Sequence, residues 1–257
     1  MLEEGLHSGG YSGIAPSTFH IMRQLFERLE DASTGNLLPK DFHCAIPSQR
    51  LREAEATAQI LGDDVWKKLP WSCGQDGGSV LPTTTDPREA LINSTWRPSL
   101  TVTGAAGLPS LADAGNVLAP RTAFKLSLRL PPLVDATDAI GKLQSLLEFD
   151  PPYNAKVVFK PEAGAATGWN APDLAPWLAS SMNDASRRHF GADLAFMGQG
   201  GTIPLMNTLK EGFPRSQFMV VGVLGPKSNA HGPNEFLDVL FAKKLTAAVA
   251  EVIASAP

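Results

Sequence analysis

The sequence predicts an α+β fold in which an antiparallel sheet carries two helices on one face. Apolar residues recur at three- and four-residue spacing in 16–29 and in 134–149, which is typical of helices with one buried face. Residues 123–130 alternate strictly between apolar and polar side chains, which is typical of a strand with one buried face. The elements follow one another as helix, strand, strand, helix and strand. This order favours two helices packed on the same side of a small sheet.

Composition limits the classes of function. The chain has 257 residues, of which 43% are hydrophobic and 19% are charged, as in globular proteins and unlike disordered ones. The net charge of -4 argues against a nucleic-acid partner, which usually requires a basic surface. Two cysteines exclude a disulfide scaffold and a Cys-rich zinc module. No stretch resembles a signal peptide or a membrane helix, so we expect a cytoplasmic protein without a membrane partner.

The first part of the chain carries the elements of the sheet. Pro16 suits the first turn of the first helix, and Gly35-Asn36 follows its end. Residues 70–95 are rich in Gly, Pro and Thr, so we expect a long loop there. In chain order, the predicted elements are helices at 16–29 and 49–69, strands at 99–104 and 123–130, a helix at 134–149 and a strand at 154–160.

The pattern changes from Gly168 onward. Residues 217–224 read QFMVVGVL, which is typical of a strand buried on both faces. Helices are predicted at 172–190 and 236–253, with the glycine loop GQGGTIP at 198–204 between them. We therefore expect one domain at 1–162, with a long insertion at about 35–95, and a second domain at 163–257.

Two of the five histidines lie where a ligand or a catalytic group could act. His231 follows the predicted buried strand, in the loop NAHGPNE, and such loops carry the sites of open α/β sheets. Its imidazole is either a zinc ligand or a loop side chain that caps local backbone. His7 lies in the motif LHSGG, whose glycines would let a ligand approach; the alternative is an ordinary exposed terminal histidine. The other histidines are interpreted as structural: His20, His43 and His189.

Two further features could bind an anion. Arg129 lies on the polar face of a predicted strand, where its planar guanidinium suits a carboxylate; the alternative is a solvated arginine on an open face. Gly200, Gly201 and Thr202 could present backbone N–H groups and a hydroxyl to the same kind of ligand. This loop lacks the lysine and the spacing of a phosphate-binding P-loop. The cysteines, Cys44 and Cys73, are interpreted as structural.

Four segments together resemble one family. They are LHSG at 6–9 with Gly13, NVLAP at 116–120 followed by LSLRLP at 126–131, GGTIP at 200–204, and AHGPNE at 230–235. Their order and the elements around them resemble the M20-type zinc metallopeptidases, the group of carnosine dipeptidases, succinyl-diaminopimelate desuccinylases and aminoacylases. The resemblance covers essentially the whole chain and is greatest to the dipeptidase branch.

The resemblance implies a fold, a cofactor and a partner. Residues 1 to about 160 would form a lid domain, through which many members of the family form homodimers. Residues from about 165 would form the C-terminal segment of an α/β zinc-peptidase-like catalytic domain. The family binds two metal ions, usually zinc, and hydrolyses the amide bond of dipeptides or N-acyl amino acids.

The resemblance also implies roles for individual residues. His231 matches the family's C-terminal metal-ligating histidine. His7 matches a catalytic lid histidine, which reaches the partner subunit's active site and stabilises the tetrahedral intermediate. Arg129 matches the lid arginine that binds the terminal carboxylate of the substrate. The remaining substrate-binding matches are a polar lid residue, Asn116, and the glycine–hydroxyl pair that binds the same carboxylate, Gly201 and Thr202.

The chain departs from the family pattern in several places. Gly5 replaces the aspartate before Leu-His, Gln199 stands where many dipeptidases have glutamate, and EAG at 162–164 replaces His-Gly-Gly. No His-x-Asp motif occurs, and the family's first lid strand, bridging aspartate and general-base glutamate are missing. We therefore expect this chain alone to be inactive as a hydrolase. The alternative is a non-catalytic homodimerisation module derived from the same family.

Overall fold

The chain divides into two compact units, each with its own apolar core. The computed structural model describes residues 1–200, 203–224 and 228–257, the side chain of Asp76 excepted. The first unit comprises Met1–Trp169 and Gly198–Pro204. The second unit comprises Asn170–Met197 and Leu205–Pro257.

The first unit mixes short strands with helices, in agreement with the predicted α+β class. Its strands are β1 (Leu6–His7), β2 (Ser99–Ala106), β3 (Val117–Leu118) and β4 (Ala123–Arg129). Its α-helices are α1 (Ser8–Tyr11), α2 (Thr18–Phe26), α3 (Ser48–Leu61), α4 (Asp64–Lys67), α5 (Pro87–Thr95) and α6 (Ala136–Glu148). Short 3-10 turns lie at Lys40–Phe42, Gln75–Gly77 and Pro152–Asn154.

Helices α2 and α6 begin at side chains that cap their free N–H groups. The Ser17 hydroxyl accepts the N–H of His20 at 3.2 Å. Asp135 caps α6, and the N–H of Asp138 and the hydroxyl of Thr167 hold the pKa of the Asp135 carboxyl below its usual range. Both predicted helices are confirmed.

The apolar faces of α2 and α6 share the core of the first unit. Arg28, after α2, donates hydrogen bonds to the carbonyls of Leu146, Phe149 and Asp150, which links it to the C-terminal end of α6. The buried residues of this core are Ile21, Leu25, Leu29, Leu37, Phe42, Val134, Ala139, Leu143 and Leu147.

The sheet consists of two separate antiparallel pairs in the described residues, β1 with β3 and β2 with β4. In the longer pair, Leu100 lies opposite Leu128. The register shifts between Val102 and Gly104, so Thr103 is an extra residue that forms a β-bulge. The apolar face of β4 packs on the core, as the alternation predicts.

Three predictions about irregular and extended segments are wrong. The run 70–95 contains α5, because Asp86 caps that helix and Pro87 fits its first turn. Residues 154–160 and 217–224 are not hydrogen-bonded strands. Within the part of the chain that the structure describes, neither segment has a neighbouring strand, and a strand needs such a neighbour to pair.

The second unit is built on a helix pair. Its helices are α7 (Pro176–Phe190), α8 (Pro204–Gly212, whose first residue belongs to the first unit) and α9 (Val239–Ala254). Its core joins α7 to α9 through Leu178, Met182, Ala185, Ala248 and Val252. Glu251 ties the two helices together, since it contacts Arg188 at 3.1 Å and His189 at 3.0 Å. None of the described helices is long and apolar enough to cross a bilayer.

Candidate functional site

His7 and Asn116 lie side by side on the short ribbon of β1 and β3. His7 is opposite Val117 in the register, and the N–H of Ser8 donates to the carbonyl of Asn116 at 2.8 Å. Both His7 and Asn116 are exposed. The ribbon therefore brings together two of the residues that the sequence singled out, and presents both to solvent.

Two glycines, Gly5 and Gly9, lie in close contact with side chains of the His7 ribbon. A Cβ atom at Gly9 would lie 2.9 Å from Cε1 of the His7 ring, so any side chain there would displace the imidazole. A Cβ atom at Gly5 would lie 2.8 Å from Cγ1 of Val117, on the paired strand. A side chain at Gly9 would therefore require the exposed imidazole to turn away from the position that it has here.

Arg129 is the last residue of β4, opposite Ser99 at the start of β2. Its side chain is exposed, and in the described residues no carboxylate forms an ion pair with its guanidinium. It lies about 20 Å along the strand from Ala123, the first residue of β4. The chain runs from the ribbon that carries His7 into β4 at Ala123. The ribbon therefore precedes the first residue of β4 in sequence, whereas Arg129 is the last residue of that strand.

The glycine loop packs closely against the end of α5 in the first unit. A Cβ atom at Gly198 would lie 2.8 Å from Cγ2 of Thr95, and one at Gly200 would lie 2.5 Å from the carbonyl oxygen of Ser94. Glycine is therefore required at both positions for steric reasons. The predicted carboxylate-binding residues of this loop, Gly201 and Thr202, lie outside the described residues.

His231 lies in a sharply folded loop of the second unit. Its φ is +58°, and Asn229 and Asn234 also have left-handed backbones, with φ of +52° and +58°. The N–H of His231 donates to Oε2 of Glu235 at 3.1 Å, and the Asn229 amide donates to the carbonyl of Pro233 at 2.7 Å. These bonds hold the turn while the exposed imidazole stays available to a ligand.

The described residues do not by themselves fit a pair of zinc ions. No group of three or more His, Cys, Asp or Glu side chains is placed to hold a metal in 1–200, 203–224 and 228–257. His231 offers one imidazole, whereas a catalytic zinc takes about three protein ligands. The described residues therefore do not build a metal centre, and no metal-dependent step follows from them.

The other reactive side chains have structural partners. His20 is bonded to Gln24, His43 to the carbonyl of Leu37, and His189 to Glu251. Burial raises the pKa of the Cys44 thiol, which makes a nucleophilic thiolate there less favourable.

Sequence analysis missed an open groove beside β4. It has a volume of about 1400 Å³ and lies between β4 and residues 155–166, above α2 and α6. The signal was present in the sequence, because every second residue of 155–160 is apolar and two of the three residues between them are lysines. That pattern indicates the buried face of the segment but gives no sign of the space next to it.

Comparison with known proteins gives the family. The family model of the peptidase dimerisation domain of M20 peptidases matches residues 1–154. The cysteinylglycine-S-conjugate dipeptidase of Corynebacterium striatum is 27% identical over 98% of this chain and 52% of its own length. The Cys-Gly metallodipeptidase of Saccharomyces cerevisiae is 25% identical over 91% of this chain and 47% of its own length. The chain thus spans about half the length of these curated relatives.

Solved structures share the fold. Human carnosine dipeptidase 1 superposes with a TM-score of 0.66 at 19% identity, over all of this chain and 53% of that protein. An M20 family metallo-carboxypeptidase from Sulfolobus solfataricus gives a TM-score of 0.68 at 16% identity, over 98% of this chain and 55% of that protein. With the dimerisation-domain match over more than half of its residues, this chain belongs to the M20 peptidase family.

Proposed function

We propose that this chain is the lid-bearing portion of a metal-dependent peptidase or amidohydrolase that cleaves the amide bond of dipeptides or N-acyl amino acids. Its lid domain would be residues 1–162, and residues 163–257 would be the C-terminal part of the catalytic domain. The relatives that support this proposal are dipeptidases. The side chains of His7, Asn116 and Arg129 are all exposed to solvent, as a substrate-binding lid requires.

The observation that carries the proposal is that the ribbon of His7 leads in sequence into the first residue of β4, Ala123, whereas Arg129 is the last residue of that strand. The strand separates Ala123 from Arg129 by about 20 Å, whereas an extended dipeptide spans about 7 Å. One dipeptide is too short to bridge that length of strand. We therefore propose a homodimer in which Arg129 of one subunit and His7 of the other serve the same site.

Each residue has a role that suits its chemistry. Arg129 would bind the terminal carboxylate of the substrate through its guanidinium, with the N–H of Gly201 and the hydroxyl of Thr202 as further donors. His7 would donate a hydrogen bond to the oxyanion that forms when the amide carbonyl is attacked. Asn116, next to His7 on the ribbon, would bind the substrate beside it.

The metal would be zinc, two ions in the assembled enzyme, with His231 as one ligand. The other ligands and the general base would come from polypeptide outside these 257 residues, whether continuous with this chain or separate. We expect the purified chain, supplied with zinc and a panel of dipeptides, to show no turnover. Zinc-dependent hydrolysis would mean that the ligand set lies in residues not recognised here.

A second candidate function is a non-catalytic homodimerisation module. The lack of a metal-binding cluster in the described residues favours it, and so does the match to a dimerisation domain. Under this alternative the chain forms a stable dimer without metal, and fusion to a metal-binding half yields no activity.

The decisive experiment joins this whole chain, in place of the matching half, to the rest of the Corynebacterium striatum dipeptidase. We expect His7→Ala to lower kcat by about 10²–10³-fold, as loss of an oxyanion donor does, and Arg129→Ala to act mainly by raising KM. His20→Ala and Arg52→Ala are matched controls, since both side chains are exposed in the same unit and outside the proposed site. No loss of kcat in the His7 variant would overturn its role.

Mixing the two impaired variants tests the shared site directly, at a substrate concentration well below the raised KM of the Arg129→Ala chain. In a heterodimer of the His7→Ala and Arg129→Ala chains, one site receives both intact residues and the other receives neither. Random mixing should therefore restore about a quarter of the wild-type activity if the sites are shared between subunits. If His7 and Arg129 act within one chain, mixing restores nothing, and the dimeric arrangement is wrong.

A further inference from the structure

The C-terminal end of α5 contacts the glycine loop within the first unit, to which Gly198–Pro204 belong. A Cβ atom at Gly198 would lie 2.8 Å from Cγ2 of Thr95, whereas carbon atoms pack at about 3.5 Å or more. The φ of Gly198 is not positive, so alanine would meet no backbone strain there. The Thr95 methyl group is therefore the obstacle to a side chain at Gly198.

The Thr95 methyl group is held toward the loop by the hydroxyl of the same side chain. Thr95 Oγ1 donates a hydrogen bond to the carbonyl of Leu91, one turn earlier in α5, at 2.7 Å. Because Cβ of threonine carries both the hydroxyl and the methyl group, this bond also determines where Cγ2 lies. The methyl group therefore keeps one position against Gly198.

Helix α5 is itself anchored in the first unit. Asp86 caps its first turn by accepting the N–H groups of Arg88 and Glu89. Ile92, in the middle of the helix, is 1% exposed. The Arg88 guanidinium reaches Glu55 of α3 at 3.2 Å. Because α5 is capped, buried at one face and linked to α3, its last turn is a firm support for the loop.

We propose that Thr95 is a positioning residue for the glycine loop, and that the insertion predicted at about 35–95 thereby takes part in substrate binding. This role rests on the proposed function, in which Gly201 and Thr202 bind the substrate carboxylate. They follow Gly198 by three and four positions, so a displacement of Gly198 is carried along the chain into this pair. A misplacement of about 1 Å can weaken a positioned interaction by up to about a hundredfold.

The test uses the whole chain fused to the rest of the Corynebacterium striatum dipeptidase, with a dipeptide and the C-terminal amide of the same dipeptide as substrates. Thr95→Ser keeps the hydroxyl and its hydrogen bond but removes the methyl group. We expect KM for the dipeptide to rise about threefold with kcat unchanged. The amide has no carboxylate for the loop to bind, so its kcat/KM should stay unchanged, whereas a general loss of stability would impair both substrates.

Gly198→Ala should act more strongly, because the new Cβ atom collides with Cγ2 of Thr95. We expect it to raise KM for the dipeptide about tenfold. In the Gly198→Ala/Thr95→Ser double variant the methyl group is gone, and Cβ of Thr95 at 3.2 Å becomes the nearest atom. KM should then lie about threefold above wild type, as in Thr95→Ser alone, whereas independent effects would multiply to about thirtyfold.

Two control substitutions separate this contact from general effects. A Cβ atom at Gly200 would lie 2.5 Å from the carbonyl oxygen of Ser94, which is backbone, so Thr95→Ser should not rescue Gly200→Ala. Thr246→Ser is the matched control for the threonine, since the exposed Thr246 donates the same kind of hydrogen bond to the carbonyl of Ala242, at 2.8 Å. It should leave KM for the dipeptide unchanged.

Three results would overturn the proposal. The first is an unchanged KM for the dipeptide in Thr95→Ser, and the second is an equal loss of kcat/KM for the dipeptide and its amide. The third is a KM about thirtyfold above wild type in the double variant, which would show that the two positions act independently.

The free chain separates failure of this proposal from failure of the proposed function. We expect the Gly200 amide resonance to move in Gly198→Ala and to return toward its wild-type position in the Gly198→Ala/Thr95→Ser double variant. If it returns while the wild-type fusion is inactive, the proposed function is rejected and the positioning of the loop by Thr95 stands. If it does not return while the fusion is active, the proposed function stands and Thr95 has no positioning role.

Discussion

β4 and residues 155–160 carry the same sequence pattern but adopt different structures. In both, every second side chain is apolar, and in both these side chains pack on the core formed by α2 and α6. β4 is paired with β2 along its full length, whereas 155–160 have no strand neighbour in the described residues. The N–H of Phe159 donates a hydrogen bond to the Glu148 carboxylate, and this contact anchors their backbone.

This difference separates two properties that a strand pattern is usually taken to predict together. Alternation determines which face of a segment is buried, because burial of apolar surface is favourable wherever a core is available. Hydrogen-bonded strand structure needs in addition a neighbour of suitable length and direction. The neighbour is not encoded in the segment itself, so the same pattern gives a strand at β4 and an unpaired extended wall at 155–160.

The substitution with the largest expected effect should destabilise both β4 and residues 155–160. Leu25 is 2% exposed and lies in the core beneath the groove. We expect Leu25→Ala to lower the free energy of unfolding of the first unit by about 2–5 kcal/mol, through lost apolar burial and the cavity left behind. Urea unfolding measures this, and hydrogen exchange should accelerate both in β4 and at the amide of Phe159.

Leu111→Ala is the control for this substitution, because Leu111 is 99% exposed. It should change the free energy of unfolding by less than about 0.5 kcal/mol. If Leu25→Ala accelerated exchange in β4 alone, the two regions would not rest on a common core.

Much of the first unit follows from local patterns. Helices α2 and α6 are predicted because their apolar spacing, caps and tertiary packing agree. Helix α5 escapes prediction, since its nine residues PREALINST have weak amphipathic periodicity and are flanked by turn residues. Its signal is the Asp-Pro pair at 86–87, which caps and starts the helix.

The candidate site is less accessible from sequence, for a physical reason. His7 and Asn116 are more than a hundred positions apart, and only the pairing of β1 with β3 makes them neighbours. Two-residue strands carry no alternation that could be detected. The family motifs identified both residues, but the hydrogen bond from the N–H of Ser8, next to His7, to the carbonyl of Asn116 comes from the structure. The role of His231 as a metal ligand stays a prediction.

A substitution with a smaller expected effect should destabilise only the β2–β4 pair. Gly107 directly follows β2 and has a φ of +83°, and a Cβ atom there would collide with the carbonyl of Arg121. We expect Gly107→Ala to cost about 1–3 kcal/mol of unfolding free energy through strain and this collision. Hydrogen exchange should accelerate in β2 and β4 while the amide of Phe159, which donates to Glu148, keeps its protection.

Gly115→Ala is the matched control, because no atom lies within 4 Å of a Cβ there and its φ is not positive. It should leave exchange in β4 unchanged. Equal acceleration in 155–160 after Gly107→Ala would mean that the unpaired wall depends on the β2–β4 pair, and the distinction between the two regions would fail.

The smallest expected effect is confined to residues 155–160, and it depends on pH. The N–H of Phe159, and after it the amide of Gln144, hold the pKa of the Glu148 carboxyl below its usual range. Because the folded-state pKa is lowered, the carboxylate anchor is fully present above the ordinary glutamate pKa and is lost as pH falls through the lowered value. The Phe159 amide resonance should shift over that acidic range.

Glu148→Gln tests whether this carboxylate is the cause. Glutamine keeps an acceptor oxygen but cannot titrate, so the acid-dependent shift of the Phe159 resonance should disappear while β4 is unaffected. Glu211→Gln, an exposed site in the second unit, should leave the shift in place. A transition that persists in Glu148→Gln would assign it to another group. If the transition disappears, the backbone of 155–160 is held by a single carboxylate, whereas the backbone of β4 is held by pairing with a whole strand.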